Sequence, residues 1–494
     1  MRKKRNDKKP VVARVFLCVL ILAFAGLLAY SLYAYISDGN EELAYIRSET
    51  LYIVVGCALL LPLLIVSLLI HMAADRRRAK REKIEIEMPA PKVAIQQPVD
   101  SAPEALPAVQ AVSAAQTTPI VTDKNKKADK KKENEGVGRF CMLTDIEKRK
   151  DSFIRESYDE NVTLKDFCDS FRAFAASRMR LYYDIEDIRR FVAGMGVSHI
   201  LILQGMSGTG KTSLAHAFGA FVENPSTIIA VQPMWKERTD LVGYYNEFTK
   251  KFNETTLLEK MYEANYSKEM YVTVLDEMNI ARVEYYFAEF LSLLELVNPD
   301  ERYLDVVSDK MDDDPPQLKD GRIKLPPNMW FVGTANNDDS TFAISDKVYD
   351  RAMVLNLDSK SEAFYAKKAK NVHIRAEKFE ELVEDAKREY KITERNMRRL
   401  EELDKYLISH FHITFGNRIM RQILNYIPIY VSCGGKEIDA LDDILSKKVI
   451  RKLETQNLMY VGSESEKLCA YLDELFGGKM TICKEHVRRI ARNG

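Results

Sequence analysis

Three short apolar runs in the middle of the chain are each followed by glycine or polar residues. The first is 199–203 (HILIL), the second is 271–275 (YVTVL), and the third begins near Trp330 and ends at Asn336. Runs of this length, bounded by turn residues, are typical of strands buried on both faces of a parallel sheet. The pattern therefore predicts an α/β fold for this part of the chain.

Two longer apolar stretches near the start of the chain have a different length and composition. Residues 15–36 and 51–70 contain no charged side chain. Each approaches the roughly 20 residues that a helix needs to cross a bilayer. Pro62 in the second stretch is compatible with a membrane helix. A cleaved signal peptide is the alternative for the first stretch, but its length and the second stretch close behind it favour two transmembrane helices.

The charges beside these stretches predict their orientation. Arg2–Arg5 and Arg76–Arg78 are basic, whereas 37–50 has Arg47 as its one basic residue. Because basic flanks stay on the cytoplasmic side, we expect a multi-pass membrane protein with both termini in the cytoplasm.

The residues after the second apolar stretch predict a linker. From about 89 to 136 the chain is rich in Ala, Pro, Val, Gln and Thr and then in Lys. Such a segment has too little apolar bulk to offset the entropy of ordering. Contact of its lysines at 124–132 with anionic lipid or nucleic acid is the alternative, and a solvated segment is the favoured interpretation.

The composition of the whole chain adds two points. It has 73 basic and 73 acidic residues, and this balance disfavours a nucleic-acid partner. Its seven scattered cysteines predict reduced thiols.

The sequence after the first short run has the spacing of a phosphate-binding loop. It reads G-x-x-x-x-G-K-T between a predicted strand and a predicted helix, which is the context that this motif requires. Glycines allow backbone N–H groups to surround phosphate oxygens, and the helix N-terminus adds partial positive charge. We expect Lys211 to neutralise phosphate oxygens and the Thr212 hydroxyl to bind Mg²⁺. The predicted nucleotide-binding residues are Gly205, Met206, Ser207, Gly208, Thr209, Gly210, Lys211, Thr212 and Ser213.

Polar residues at the ends of the other two predicted strands complete a hydrolytic site. Asp276 and Glu277 follow the second strand; Asp276 would bind Mg²⁺ together with Thr212, and Glu277 would polarise the attacking water. Asn336 ends the third strand, where its amide would sense the γ-phosphate. The alternatives are a helix cap for the acidic pair and a turn residue for Asn336.

The motifs together resemble those of the dynein-related branch of AAA+ ATPases, which includes MoxR and McrB-like proteins. They are GMSGTGKT, VQPMWKERTDLVGYYN, VTVLDEMNIARVEYYFAEFLSLLE, WFVGTANNDDSTF and DKVYDRA, and the resemblance extends from about Asp166 to the C-terminus. It implies ATP and Mg²⁺ as cofactors, with GTP left open. It also implies a homo-oligomeric ring, usually a hexamer, with nucleotide between neighbouring subunits.

The resemblance also implies roles for two arginines. Arg351 matches the arginine finger that completes the site of the next subunit, and the alternative is a surface salt bridge. Arg418, in Phe415–Arg418, resembles the sensor 2 arginine of a helical lid running from about Ser361 to Ser432. Arg421 is the alternative for that role.

Two inserted segments lie between the motifs. The segment 235–252 contains Gly243–Asn246, which we interpret as a pore- or partner-facing loop or as a pair of packed tyrosines. The segment 301–322 is expected to form a hairpin-like excursion. The sequence assigns no substrate to either segment.

These observations predict an α/β P-loop AAA+ core with a parallel sheet flanked by helices, an α-helical lid and two N-terminal transmembrane helices. The predicted regions are a cytoplasmic tail (1–14), membrane helices (15–36 and 51–72) around an external loop (37–50), a linker (73–137), the core (138–360), and the lid with the C-terminal helices (361–494).

The predicted function is ATP hydrolysis by a membrane-anchored ring that remodels an unidentified protein client. Two alternatives remain: a GTP-hydrolysing McrB-like subunit that recruits a nuclease, and a slow nucleotide-dependent scaffold. The apolar stretches stand where McrB-like subunits carry a DNA-reading domain, which argues against restriction.

Overall fold

The computed structural model describes residues 138–155, 157–336, 341–358 and 360–492. The predicted membrane helices at 15–36 and 51–72, and the linker at 73–137, lie outside these ranges. Among the described residues, no helix is both long enough and apolar enough to span a bilayer.

The elements follow one another in an alternating α/β order. The first helices are α1 (Met142–Lys148), α2 (Leu164–Met179) and α3 (Ile185–Val197). Next come β1 (Ile200–Gly205), α4 (Lys211–Phe221), β2 (Thr227–Ala230), α5 (Arg238–Val242), β3 (Gly243–Asn246), β4 (Lys251–Glu254), α6 (Thr256–Ala264), β5 (Tyr271–Asp276), α7 (Val283–Tyr286) and α8 (Ala288–Leu293). They are followed by β6 (Tyr303–Asp305), β7 (Leu318–Lys319), β8 (Arg322–Lys324), β9 (Met329–Asn336), α9 (Asp346–Tyr349) and β10 (Met353–Asn356). The last helices are α10 (Ala376–Glu389), α11 (Glu394–Phe411), α12 (Gly416–Ser432), α13 (Glu437–Lys448), α14 (Leu458–Phe476) and α15 (Thr481–Arg492).

A parallel five-stranded sheet forms the centre of the core. Its strand order is β10-β1-β9-β5-β2, and each neighbouring pair is parallel. Parallel neighbours need crossover connections, which here place helices on both faces. The predicted α/β core with a parallel sheet flanked by helices is confirmed.

Successive side chains of each strand point to opposite faces of the sheet, and this divides the core into two layers. Leu201 and Leu203 pack on one face with α2, α3, α4 and the C-terminal helices. Ile200 and Ile202 pack on the other face with α6, α7 and α8. Because side chains alternate across a strand, an apolar run without polar interruptions supplies both layers at once.

The two inserted segments form antiparallel structure outside the main sheet. β3 and β4 make a hairpin, and β6, β8 and β7 make a three-stranded sheet in that order. The second segment is therefore more elaborate than a single hairpin, because residues 318–319 add a strand to it. In the first, Tyr244 is exposed and Tyr245 is half-buried, so one tyrosine packs and the other faces solvent.

The first described residues, 138–143, bind to both inserted segments. The Arg139 guanidinium donates to both carboxylate oxygens of Asp314, and the two side chains are only 5% and 2% exposed. Phe140 packs on Phe252 of β4. The Glu254 carboxylate accepts hydrogen bonds of 2.8 Å from backbone N–H groups at the start of α1, including that of Leu143. This N-terminal segment thus joins the two insertions.

The C-terminal helices are attached to the core by buried polar contacts. Arg190 of α3 pairs with Asp443 of α13 at 3.1 Å, and Lys447 pairs with the same carboxylate. Lys448 donates to the Tyr349 and Ala352 carbonyls just before β10. Burial lowers the pKa of Lys448 to about 7. These contacts fix α13 against one edge of the sheet.

The first part of the predicted lid differs from expectation. Residues 361–374 form no helix, and the helical region begins at Ala376. The Val372 N–H instead donates to the Phe221 carbonyl at 3.0 Å, and His373 contacts Glu269 at 2.9 Å. The end of this stretch is therefore bound to the core by contacts that are not helical hydrogen bonds.

His199, just before β1, is half-buried beside Trp330. Its ring stacks on Trp330 at 4.9 Å, and Nδ1 lies 3.2 Å from the Met329 carbonyl. Burial, with a smaller contribution from the Arg302 guanidinium, lowers the pKa of His199 to about 4. Protonation of this imidazole is therefore linked to unfolding.

We expect His199 to make the fold acid-sensitive. Its folded pKa lies below the unfolded value of about 6.5, so the unfolded chain binds more protons between these values. Stability is then full above pH 6.5 and decreases as the pH falls towards 4, by roughly 3 kcal/mol from this residue. Urea unfolding followed by tryptophan fluorescence at pH 7 and pH 4.5 measures the loss. His199→Phe should reduce it, whereas His216→Phe, at an exposed position, should not; equal losses in both variants would contradict this assignment.

Candidate functional site

The P-loop begins where β1 ends and closes at the first residue of α4. Gly205 has a φ of +147°, and a Cβ there would lie 2.2 Å from the Leu357 carbonyl oxygen. Gly210 has a φ of +94° at the N-cap of α4. Only glycine adopts these φ angles without strain. The backbone conformation therefore requires glycine at both positions, and the nearby Leu357 carbonyl leaves no room for a side chain at Gly205.

The N-terminus of α4 is available to an anion. Among the described residues, no side chain caps this helix. The Tyr183 hydroxyl donates to the Gly210 carbonyl at 3.0 Å and so supports the last turn of the loop. Burial raises the pKa of Tyr183, which keeps it a neutral donor. Uncapped N–H groups and the helix dipole favour phosphate at such a position.

The Lys211 ammonium lies inside the curve of the loop. Nζ is 3.0 Å from the Gly205 carbonyl and 2.7 Å from the Met206 carbonyl, and the residue is buried. The Thr209 hydroxyl also donates to the Met206 carbonyl, at 3.0 Å. The loop thus holds one cation among carbonyl oxygens, where phosphate oxygens can replace those partners.

The rest of the predicted loop faces solvent. Met206, Ser207 and Gly208 are exposed, and Ser213 in the first turn of α4 is half-buried. Gly208 has a φ of +79° with open space where a Cβ would stand. These backbone groups are accessible to a nucleotide.

Three oxygen-bearing side chains from separate elements meet beside the loop. Thr212 of α4 donates its hydroxyl to Asp276 Oδ1 at 2.7 Å. Thr334 of β9 donates to the same oxygen at 2.8 Å. The structure therefore brings together Thr212 and Asp276, the two residues predicted to bind Mg²⁺.

The turn after β5 orients Glu277. This residue has a φ of +53°, in the left-handed region that non-glycine residues rarely adopt. Its backbone N–H donates to the Thr334 hydroxyl at 2.8 Å, and its side chain is exposed. Backbone strain of this kind persists where surrounding contacts enforce it and is concentrated at functional sites.

Asn336 lies beside the P-loop because of strand register. It pairs with Gly205 across β9 and β1. Asn279, after β5, donates to the Asn336 carbonyl at 2.9 Å and accepts from its N–H at 3.4 Å. The backbone of Asn336 is thereby tied to the turn that follows Glu277.

The donor set suits Mg²⁺ with a nucleotide. Mg²⁺ prefers hard oxygen ligands and retains water or phosphate oxygens in its coordination shell. Thr212 and Asp276 supply one hydroxyl and one carboxylate in contact with each other. Within the ranges that the structure describes, no group of three or more His, Cys, Asp or Glu side chains could hold a metal ion alone. The residues present thus fit a metal that is shared with phosphates.

Arg351 lies at the opposite end of the sheet from its own P-loop. Its carbonyl accepts from Ser198, just before β1, and its Nε is 2.8 Å from Glu295. The length of β1 separates Ser198 from Gly205 by roughly 20 Å, at about 3.3 Å per residue. Arg351 therefore cannot reach the nucleotide site of its own chain.

Arg418 lies beside Arg351 and not beside the P-loop. Its Nη2 is 2.6 Å from Glu295, the carboxylate that also binds Arg351. Gln422, one turn later in α12, donates to the Asp350 carbonyl at 3.0 Å. The start of α12 is thus docked near the start of β10. The structure does not support a sensor 2 role for Arg418 towards the γ-phosphate of its own chain.

The sequence motifs assign no role to Thr334, Asn279 or Tyr183. Thr334 stands two residues before Asn336, so the two-residue period of a strand places both side chains on one face of the sheet. This spacing is enough to predict that Thr334 lies near the site. Asn279 and Tyr183 act through contacts across the fold, which no local pattern reveals.

Comparison with protein families assigns two parts of the chain. Residues 200–352 match the AAA domain of the dynein-related subfamily, and residues 367–494 match a domain of unknown function (DUF8727). The chain thus carries an AAA domain, an ATPase type of fold that uses nucleotide. No curated protein matches the chain.

Three solved structures show a distant likeness to the chain. A candidate ATPase from Cytophaga hutchinsonii is 14% identical, with 62% of this chain and 90% of that chain covered and a TM-score of 0.37. A full-length MCM homologue from Methanopyrus kandleri is 11% identical, covering 60% of this chain and 63% of that one at a TM-score of 0.34. NtrX from Brucella abortus, in complex with ADP, is 12% identical, covering 63% and 67% at a TM-score of 0.23. These likenesses add nothing to the family assignment.

Proposed function

We propose that this protein binds and hydrolyses ATP with Mg²⁺ in a ring at a membrane, and that it uses the cycle to remodel a protein partner. The observation that carries the hydrolytic part is the contact of Thr212 with Asp276 at 2.7 Å. This hydrogen bond joins the end of the P-loop to Asp276 at the end of β5. A fold that needed these residues only for packing would have no reason to place a hydroxyl, a carboxylate and the Lys211 ammonium at one sheet edge.

Each residue of the site has a distinct part in the reaction. The P-loop N–H groups and Lys211 bind phosphate oxygens, and Thr212 with Asp276 would hold Mg²⁺. The metal would neutralise charge on the β- and γ-phosphates. Glu277 would accept a proton from the attacking water. Asn336, whose backbone is tied to the Glu277 turn through Asn279, would orient that water and contact the γ-phosphate.

The separation of Arg351 from its own P-loop supports the ring part of the proposal. An arginine at the far end of the sheet can stabilise transition-state charge only on a neighbouring subunit. Arg418 shares the Glu295 carboxylate with Arg351 and would face the same neighbour. This arrangement favours catalysis at the contact between two copies of the chain.

The β3–β4 hairpin is the best candidate for the contact with a protein client. Phe248 at its tip is 99% exposed, and Tyr244 is 52% exposed. Exposed aromatic side chains are costly in water and are enriched at contact surfaces. We therefore propose that this hairpin meets the client.

The membrane part of the proposal rests on the apolar stretches at 15–36 and 51–70. Their basic flanks support a cytoplasmic location for both termini and for the ATPase domain.

Phosphate release from the purified full-length protein tests the hydrolytic proposal. We expect Mg²⁺-dependent ATP turnover that falls at least 100-fold in Glu277→Gln with nucleotide affinity retained. Lys211→Ala should lose nucleotide affinity as well, because it removes the cation inside the loop. If GTP is hydrolysed faster than ATP, GTP takes the place of ATP as the proposed substrate. Wild-type binding without any turnover would overturn hydrolysis in favour of a scaffold.

Complementation between two variants tests the role of Arg351. Arg351→Ala should bind nucleotide normally and lose turnover by on the order of 10³-fold. Mixing it with Lys211→Ala should restore measurable turnover, because some sites then combine an intact P-loop with an intact Arg351. Arg398→Ala, at an exposed position on α11, is the matched control and should turn over normally. Mixed assemblies that stay inactive would argue against action between subunits.

Deletion of residues 1–88 tests the anchor. The full chain should sediment with membranes and resist extraction by alkaline carbonate, whereas the shortened chain should remain in the supernatant. If the shortened chain still sedimented with membranes, the apolar stretches could not be the sole anchor.

A further inference from the structure

Thr334 occupies a position that its surroundings do not explain by packing alone. It lies in the centre of the sheet on β9, is 2% exposed, and is a buried polar residue in an otherwise apolar strand core. A buried hydroxyl is costly unless it is hydrogen-bonded. Its hydrogen bonds therefore indicate what the residue does.

The hydroxyl contacts both acidic residues of the site. Thr334 Oγ1 is 2.8 Å from Asp276 Oδ1 and 2.8 Å from the Glu277 backbone nitrogen. The directions of these bonds are forced. The Glu277 N–H can only donate, so Thr334 accepts there; the Asp276 carboxylate can only accept, so Thr334 donates its single proton to it.

The same carboxylate oxygen accepts from Thr212. Thr212 can bind a metal ion through an oxygen lone pair while its proton stays on Asp276, because a hydroxyl both donates and accepts. Thr334 is then the hydroxyl that holds this carboxylate without itself being predicted to bind the metal. A charge-assisted bond of this type is stronger than a neutral one.

The second bond acts on the backbone of Glu277. This residue has a left-handed conformation, with φ at +53°, and its N–H donates to the Thr334 hydroxyl of β9. Loss of the bond would free the turn and the direction of the Glu277 side chain.

We propose that Thr334 is a positioning residue that orients the Asp276 carboxylate and the Glu277 backbone together, and that it thereby couples the acidic pair to the strand that carries Asn336. The proposal rests on the hydrolytic function argued above and deepens it. Because Thr334 and Asn336 are two residues apart on β9, a shift of this strand moves the carboxylate pair and the amide as one unit.

Substitutions that separate the hydroxyl from the shape of the side chain test the proposal in the full-length protein. Thr334→Val keeps the shape and removes both hydrogen bonds, whereas Thr334→Ser keeps the hydroxyl. We expect Thr334→Val to lower kcat for ATP roughly 10- to 100-fold, the factor for losing a hydrogen bond to a charged group. The KM should change less than about threefold, because the phosphate contacts remain, and Thr334→Ser should recover most of the turnover.

Nucleotide binding across a Mg²⁺ titration gives a second readout. Thr334→Val should require several-fold more Mg²⁺ for half of the metal-dependent gain in affinity, in the same direction as Asp276→Asn. Thr273→Val on β5 is the matched control, since Thr273 is also buried, at 1% exposure, and lies about 10 Å along the strand from Asp276. Its kcat and Mg²⁺ requirement should match wild type. Thr334→Ala, which cannot clash, replaces the valine variant if that one fails to fold.

The results of these experiments distinguish a failure of the Thr334 proposal from a failure of the hydrolytic function. A kcat for Thr334→Val within twofold of wild type, or equal loss in the valine and serine variants, would overturn the proposal. A wild-type chain that binds nucleotide without turnover would defeat the hydrolytic function alone, and the Mg²⁺ titration would still decide the role of Thr334. A wild-type chain that binds no nucleotide would overturn both.

Discussion

The position of β9 between β1 and β5 is the constraint on which the site depends. Its register sets Asn336 opposite Gly205 on one side and Gly333 opposite Leu275 on the other. Gly333 has a specific reason to be glycine: a Cβ there would lie 1.9 Å from the Met278 sulfur. The missing side chain lets the turn after Glu277 lie directly over β9. Strand register thus brings the ends of separate elements within hydrogen-bonding distance.

Local sequence patterns predicted the elements that contain most of this site. The apolar runs located β1, β5 and β9 to within a residue or two, because strands buried on both faces leave little room for polar interruptions. The P-loop was predictable since its glycines and its lysine occur at fixed spacing in one short segment. The roles assigned to these residues remain predictions.

Other features depend on contacts between distant segments and left no such pattern. The left-handed residue Glu277 donates its N–H to Thr334, which lies 57 residues later in the chain. The pairing of Arg418 with Glu295 depends on how α12 docks, which the motif around Phe415 does not encode. Residues 361–374 were expected to be helical, but they form no helix, and Val372 and His373 instead contact the core.

The way the chain enters the domain has a mechanical consequence. Arg139 is bound to Asp314 in the second insertion, and the Glu254 cap holds the next residues on the first. A load applied along the chain at Gly138 would therefore act on the two insertions as soon as it enters the domain. Since only residues 325–328 separate β8 from β9, tension on the second insertion and movement of the strand that carries Asn336 would act on the same short stretch of backbone.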